Sequence, residues 1–251
     1  MVESGKTRTE TGSTPAFYAM AAGSGWKDYV NLLHLPYTLW HLSYVVLGAA
    51  IAPTIHLDRL VVTLVAFFLA VGIGAHALDE LNGRPLGTRI PRPVLLGLGL
   101  FPLAGAVALG VTAGLVSSVW VLPFVAFGGF IVIAYNLGIW NGRFHSDFWF
   151  AFAWGAFPAF TSYWINYPHL TAPAVLLTLG CFTLSLAQRT LSTPVRDIRR
   201  KTVSVEGSMQ MMDGSGVVLD EARMISAPEK ALSLLSLTIV VFAVSLLVFR
   251  L

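Results

Sequence analysis

Residues 76–91 read HALDELNGRPLGTRIP, and they close an apolar run over residues 60–78, LVVTLVAFFLAVGIGAHAL. An α-helix needs about 20 apolar residues to cross a bilayer. The change of character is abrupt. Two adjacent acids, Asp79 and Glu80, are followed by a stretch punctuated by Gly and Pro that carries Arg84, Arg89 and Arg92. This is the pattern of a helix leaving hydrocarbon for a charged membrane surface, and its arginines bear on which surface that is.

The pattern repeats along the chain. Of 251 residues, 55% are hydrophobic and 12% charged, with mean hydropathy +0.71. A soluble domain carries about 25% charged residues. The composition excludes an ordinary soluble domain and predicts an all-α, polytopic transmembrane bundle of seven spans, at roughly 37–55, 60–78, 93–114, 117–135, 148–166, 170–188 and 231–250. The short turn around Leu115–Ser118 makes the third and fourth spans an antiparallel hairpin. Residues 1–25 are polar, lack the apolar core of a signal peptide and read as a disordered tail, which leaves 26–251 as the helical domain. Cys181 is the only cysteine, so no intrachain disulfide forms. Glycines in GLGLFPLAGAVALGVTAG suit close helix packing. Trp140, Trp149, Tyr163 and Trp164 read as an interfacial aromatic belt.

Loop charge sets orientation. With the N-terminus in the cytoplasm, the tail, the 2–3 loop, the 4–5 loop and the 6–7 loop together hold 14 of the 16 basic residues. Only Arg59 and Arg250 fall on the other side, and Asp58 is the only acid there. The expected topology is N-terminus cytoplasmic and C-terminus opposite. All charged chemistry then gathers at one membrane face, and no nucleic acid is expected as a partner.

At that face, His76, Asp79 and Glu80 are spaced i, i+3 and i+4 at a helix end. An acidic pair there suits a hard cation such as Mg²⁺. Arg84 and Arg89, in the loop that follows, suit phosphate oxygens. Metal and arginine beside an apolar channel match a diphosphate with a hydrocarbon tail. The same charges also suit a plain helix end that obeys the charge rule for loops. Histidine within a span is costly and often functional. His34, His41, His76 and His145 fall on this side, and with Asp79 and Glu80 they form a candidate transition-metal set.

The segment resembles the first conserved region of UbiA-type intramembrane prenyltransferases. Those enzymes carry Asn-x-x-x-Asp-x-x-x-Asp at the end of the second helix, then an Asn-Arg-Pro-Leu element. The chain has Asn82-Gly83-Arg84-Pro85-Leu86, with one inserted glycine, and Asp79 matches the central Asp. The motif's Asn falls at Ala75 and its last Asp at Gly83. Pro36 and Gly48 are similar to the family's first helix. Tyr135, Gly155 and Pro158 are similar to its fourth and fifth helices, and Asp147 sits where some members have an acid. Of a second Asp-x-x-x-Asp in the sixth helix, Asp197 matches one position and Thr193 stands at the other.

The resemblance covers residues 34–201 and implies a divergent, shortened member that transfers a prenyl group from a polyprenyl diphosphate to an unidentified acceptor. It implies Mg²⁺ on Asp79 and Asp197, with Glu80 and His76 as substitute ligands. Asn82, Arg84, Arg89, Arg200 and Tyr135 would hold the diphosphate. Membrane lipid and isoprenoid diphosphate are the expected partners. The rival reading is a non-catalytic lipid or quinone carrier, or an assembly factor, on the same bundle. Residues 202–228 form a cytoplasmic loop with a turn signal at Asp213-Gly214-Ser215-Gly216, which predicts a β-hairpin able to act as a lid.

Overall fold

The computed structural model describes residues 14–20 and 25–251. These are mostly helical. A short α1 (Trp26–Leu32) precedes α2 (Leu35–Ile51), α3 (Leu57–Leu81), α4 (Arg92–Val116), α5 (Val119–Asn136), α6 (residues 147–166), α7 (Ala172–Lys201) and α8 (Glu221–Arg250). Among the described residues, α3, α4, α5, α7 and α8 are the five helices long and apolar enough to cross a membrane. Helices α2, with 17 residues, and α6 are not among them. The largest boundary differences are at α7, which runs to Lys201, and α8, which starts at Glu221. Their polar ends stay helical because they brace each other: Arg199 pairs with Glu229, with both side chains largely buried.

Helix α2 packs against α6 and α8. Gly48 makes the α2–α6 crossing possible, since a Cβ there would lie 2.1 Å from the carbonyl oxygen of Ala159. The α4 glycines act as expected: Gly99 receives Leu78, Gly110 receives Val125 and Gly114 receives Leu122. Tyr163 is no belt residue. It is buried, and its hydroxyl shares a 2.7 Å hydrogen bond with Thr171.

Two helices contain π-helical segments, Phe68–Ala75 in α3 and Phe152–Ala156 in α6. A π turn shifts the hydrogen-bond ladder, and such turns occur often at functional sites. In each segment a carbonyl accepts from a histidine: His76 Nδ1 donates to Gly72 O at 3.2 Å and His41 Nδ1 to Trp154 O at 2.8 Å.

Of the predicted tail, residues 1–13 and 21–24 lie outside the described residues. Residues 14–20 are not a free tail but a strap packed on the bundle. The Asn31 side chain accepts from the Met20 N–H at 2.9 Å and donates to Met20 O at 2.8 Å. Arg199 Nη1 donates to Thr14 O at 2.9 Å. The predicted hairpin is present: β1 (Ser208–Gln210) pairs antiparallel with β2 (Gly216–Val218). Gly214 takes φ 85°, and Asp213 accepts from the Ser215 hydroxyl and amide. Those bonds hold the Asp213 carboxyl below its usual range.

Candidate functional site

A polar cavity of about 400 Å³ opens between the strap, α2, α3, α5, α6 and α7. It lies at the ends of these helices where the sequence gathers charge. Four histidines from distant parts of the chain, His34, His41, His76 and His145, line it. His34 sits just before α2 with φ 45° and ψ 46°, a left-handed conformation uncommon outside glycine. Its ring stacks on His76 at 4.2 Å between centroids and 13° between planes. The Tyr18 hydroxyl from the strap shares a 2.8 Å hydrogen bond with His34 Nδ1. Burial first, then His76, pushes the His34 imidazole well below its usual range, so it is neutral near pH 7. Burial pushes the Tyr18 phenol up.

The predicted acids separate. Asp79 is half-buried and lines the cavity beside His76. Glu80 does not join it. Neighbours on a helix diverge by about 100°, and Glu80 turns into the 82–91 loop, 1% exposed. Its carboxylate accepts from Leu86 N–H at 2.9 Å, Thr88 N–H at 2.8 Å and the Thr88 hydroxyl at 2.8 Å. Asp147 pairs with Arg189 at 2.7 Å and is 64% exposed. Asp197 reaches the cavity rim but pairs with Lys201 at 2.7 Å.

The loop residues predicted to hold the diphosphate sit apart from the cavity. Arg84, with φ 50°, donates to Thr88 O at 2.6 Å and Ile90 O at 2.9 Å, which closes the loop on itself. Arg89 is exposed, and its backbone N–H donates to Asp28 at 2.9 Å. Asn82 donates to Asn136 O at 2.9 Å, which ties the loop to α5. None of the three lines the cavity.

The cations that do line it come from α7. Arg189 and Lys201 are matched by Asp147 and Asp197. Arg196 and Arg200 have uncharged partners among the described residues: Thr193 Oγ1 at 3.0 Å and Pro15 O at 3.2 Å. Two guanidinium groups therefore face one interior carboxylate, Asp79, and the balance is electropositive. Tyr135 lines the cavity, 5% exposed, with its ring 4.4 Å from His145 and 4.6 Å from Trp154.

Trp154 lines both the polar cavity and an apolar groove of about 100 Å³. Phe67, Val71, Leu103, Phe124, Val132 and Phe157 form that groove between α3, α4, α5 and α6. The predicted lid does not contribute: no residue of the β-hairpin lines the cavity, whereas Pro15, Ala16, Phe17 and Tyr18 of the strap do. The strap lies in a polar segment, and only its Phe17-Tyr18 pair hints at burial. Gln188 also lines the cavity, and a lone amide at the end of an apolar run was its signal.

The residues fit a two-ion Mg²⁺ site poorly. Among the described residues no group of three or more His, Cys, Asp or Glu side chains is placed to hold a metal ion. An ion at Asp79 would draw its remaining ligands from substrate phosphates and water. No family model, curated protein or solved structure matches the chain.

Proposed function

We propose that the chain binds an isoprenoid diphosphate at the cytoplasmic membrane face and acts as a divergent UbiA-type prenyltransferase. One observation carries this reading: an electropositive, partly desolvated cavity and an apolar groove share a lining residue, Trp154. Arg196 and Arg200 hold the diphosphate oxygens, and the groove takes the first part of the tail. In the transfer, the bond between the allylic carbon and the diphosphate oxygen breaks and the electron pair leaves with the diphosphate. The acceptor forms the new bond to carbon and releases a proton. The guanidinium groups stabilise the charge that develops on the leaving group. Seven spans, with the N-terminus cytoplasmic and the C-terminus opposite, belong to the same proposal and are supported by 14 of 16 basic residues on one side.

A second reading, a carrier that binds the same lipid without cleaving it, is favoured by the single interior carboxylate. Release of inorganic diphosphate from farnesyl diphosphate by protein in lipid nanodiscs separates the two. We expect release with added Mg²⁺, and Asp79→Asn to lower its rate at least about tenfold while binding persists, since one unit of ligand charge is lost. Saturable binding with no release, in wild type and variant alike, would establish the carrier.

A further inference from the structure

The strap, residues 14–20, runs between two helices that are remote in sequence. At one end the Asn31 side chain of α1 holds the Met20 backbone, accepting at 2.9 Å and donating at 2.8 Å. At the other end Arg199 and Arg200, in the last turn of α7, donate to Thr14 O at 2.9 Å and Pro15 O at 3.2 Å. Between these two posts, Pro15, Ala16, Phe17 and Tyr18 line the polar cavity.

The posts are firm and the strap is not. Asn31 is 2% exposed, and Arg199 is also paired with Glu229. The strap contains no helix or strand. Its buried side chains, Ala16 and Ala19, are small, so their exposure costs little. Phe17 and Tyr18 are half-buried and meet Tyr37 edge-on at 6.2 and 5.4 Å. Its release breaks a few hydrogen bonds and unfolds no helix. Segments of this kind open at low free energy.

The cavity behind it carries Asp79, Arg196 and Arg200. An ionic group reaches such residues from the aqueous side, because hydrocarbon is costly to charge. Two of the strap's bonds also end on the cavity wall, Pro15 O on Arg200 and the Tyr18 hydroxyl on His34 at 2.8 Å. Strap and ligand therefore draw on the same side chains.

We propose that residues 14–20 are a gate, which closes the polar cavity to water-borne ions and opens by release from its posts on α1 and α7. The inference goes beyond the prenyl diphosphate reading and does not depend on it, since any ion entering from the aqueous side meets the same strap.

Thiol labelling tests the gate without a ligand. Ser192 lines the cavity and is 6% exposed, so Ser192→Cys puts a reporter behind the strap. The native Cys181 is buried, and the unsubstituted chain measures its background. Ser204→Cys, at an exposed position before the β-hairpin, calibrates the reagent. Protein in nanodiscs is treated with anionic sulfonatoethyl methanethiosulfonate, and the adduct is followed by mass spectrometry. Asn31→Ala removes both Met20 bonds and should speed labelling of Ser192→Cys at least about tenfold, while Ser204→Cys stays within about twofold. Met20→Pro removes a strap N–H without touching α1, and should speed it about fivefold. The proline variant decides the matter if Asn31→Ala melts early. Labelling of Ser192→Cys at the Ser204→Cys rate with the strap intact would overturn the gate. So would an unchanged rate in the folded strap variants, or equal acceleration of both reporters. No diphosphate enters the measurement, so its outcome is separate from that of the diphosphate reading.

Discussion

Gly48→Val should leave little folded protein. The Cβ alone would stand 2.1 Å from Ala159 O, 3.0 Å from Ala159 C and 3.1 Å from Tyr163 N. These are backbone atoms of α6 and cannot rotate away. Helices α2 and α6 must then separate, and the layer beneath them opens. That layer holds Trp40 and Tyr44, both buried, with Ser185 Oγ donating to Tyr44 at 3.1 Å. Overpacking of this kind costs roughly 3 kcal/mol or more, above the usual range because backbone must move. Thermal melting followed by size-exclusion chromatography in detergent measures it. Gly180→Val on α7 is the control, because a Cβ there meets nothing within 4 Å. A Gly48 variant that melts with wild type would mean the crossing is looser than described.

Arg196→Gln should weaken inorganic diphosphate binding by about 30- to 100-fold. Arg196 is half-buried on α7, and among the described residues its hydrogen bond goes to the neutral Thr193 hydroxyl. A charge-assisted hydrogen bond contributes about 1.5–3 kcal/mol; a guanidinium makes two at once to a phosphate, but the glutamine amide keeps a neutral donor, so the net loss is about 2–3 kcal/mol. Arg196→Lys keeps the charge and loses the planar fork, so it should fall between variant and wild type. Calorimetry in nanodiscs reads both. Two other arginines calibrate the result. Arg92→Ala, at the exposed start of α4, should bind as wild type. Arg84→Lys should lower the melting temperature through the loop carbonyls at Thr88 and Ile90 and spare diphosphate affinity. Equal losses at Arg92 and Arg196 would reduce the effect to general positive charge at the surface.

The helices were legible because apolar length is a strong signal, and the packing role of the α4 glycines because glycine in a span implies close approach; Gly48 stood out only through the family resemblance, and its contact with α6 is visible in the packing alone. The gathering of His34, His41, His76 and His145 was legible from topology alone, which sends all four to one face. The acids were not. His76 and Asp79, three apart, do share the cavity, but Glu80 at the next position points about 100° away and finds three donors in its own loop. Arg84 misled for a related reason. A tight loop carries buried carbonyls that need donors, and the nearest guanidinium supplies them. The π segments have no dependable sequence pattern, since Gly72, Gly74 and Gly155 suit helix packing as well. The strap was missed because its anchors, Asn31 and Arg199, are remote from it or too ordinary to stand out.

The account's central claim is that the diphosphate lies in the cavity and the tail passes Trp154 into the groove. Photo-crosslinking tests it most directly, with a farnesyl diphosphate analogue that carries a diazirine at the far end of its tail. Adducts are mapped by mass spectrometry with and without excess inorganic diphosphate. The account predicts adducts on groove residues such as Val71, Phe124 and Val132, lost when the competitor is present and reduced in Arg196→Gln. Adducts confined to outward-facing residues such as Phe101 and Trp120, 81% and 67% exposed, and indifferent to the competitor, would contradict it.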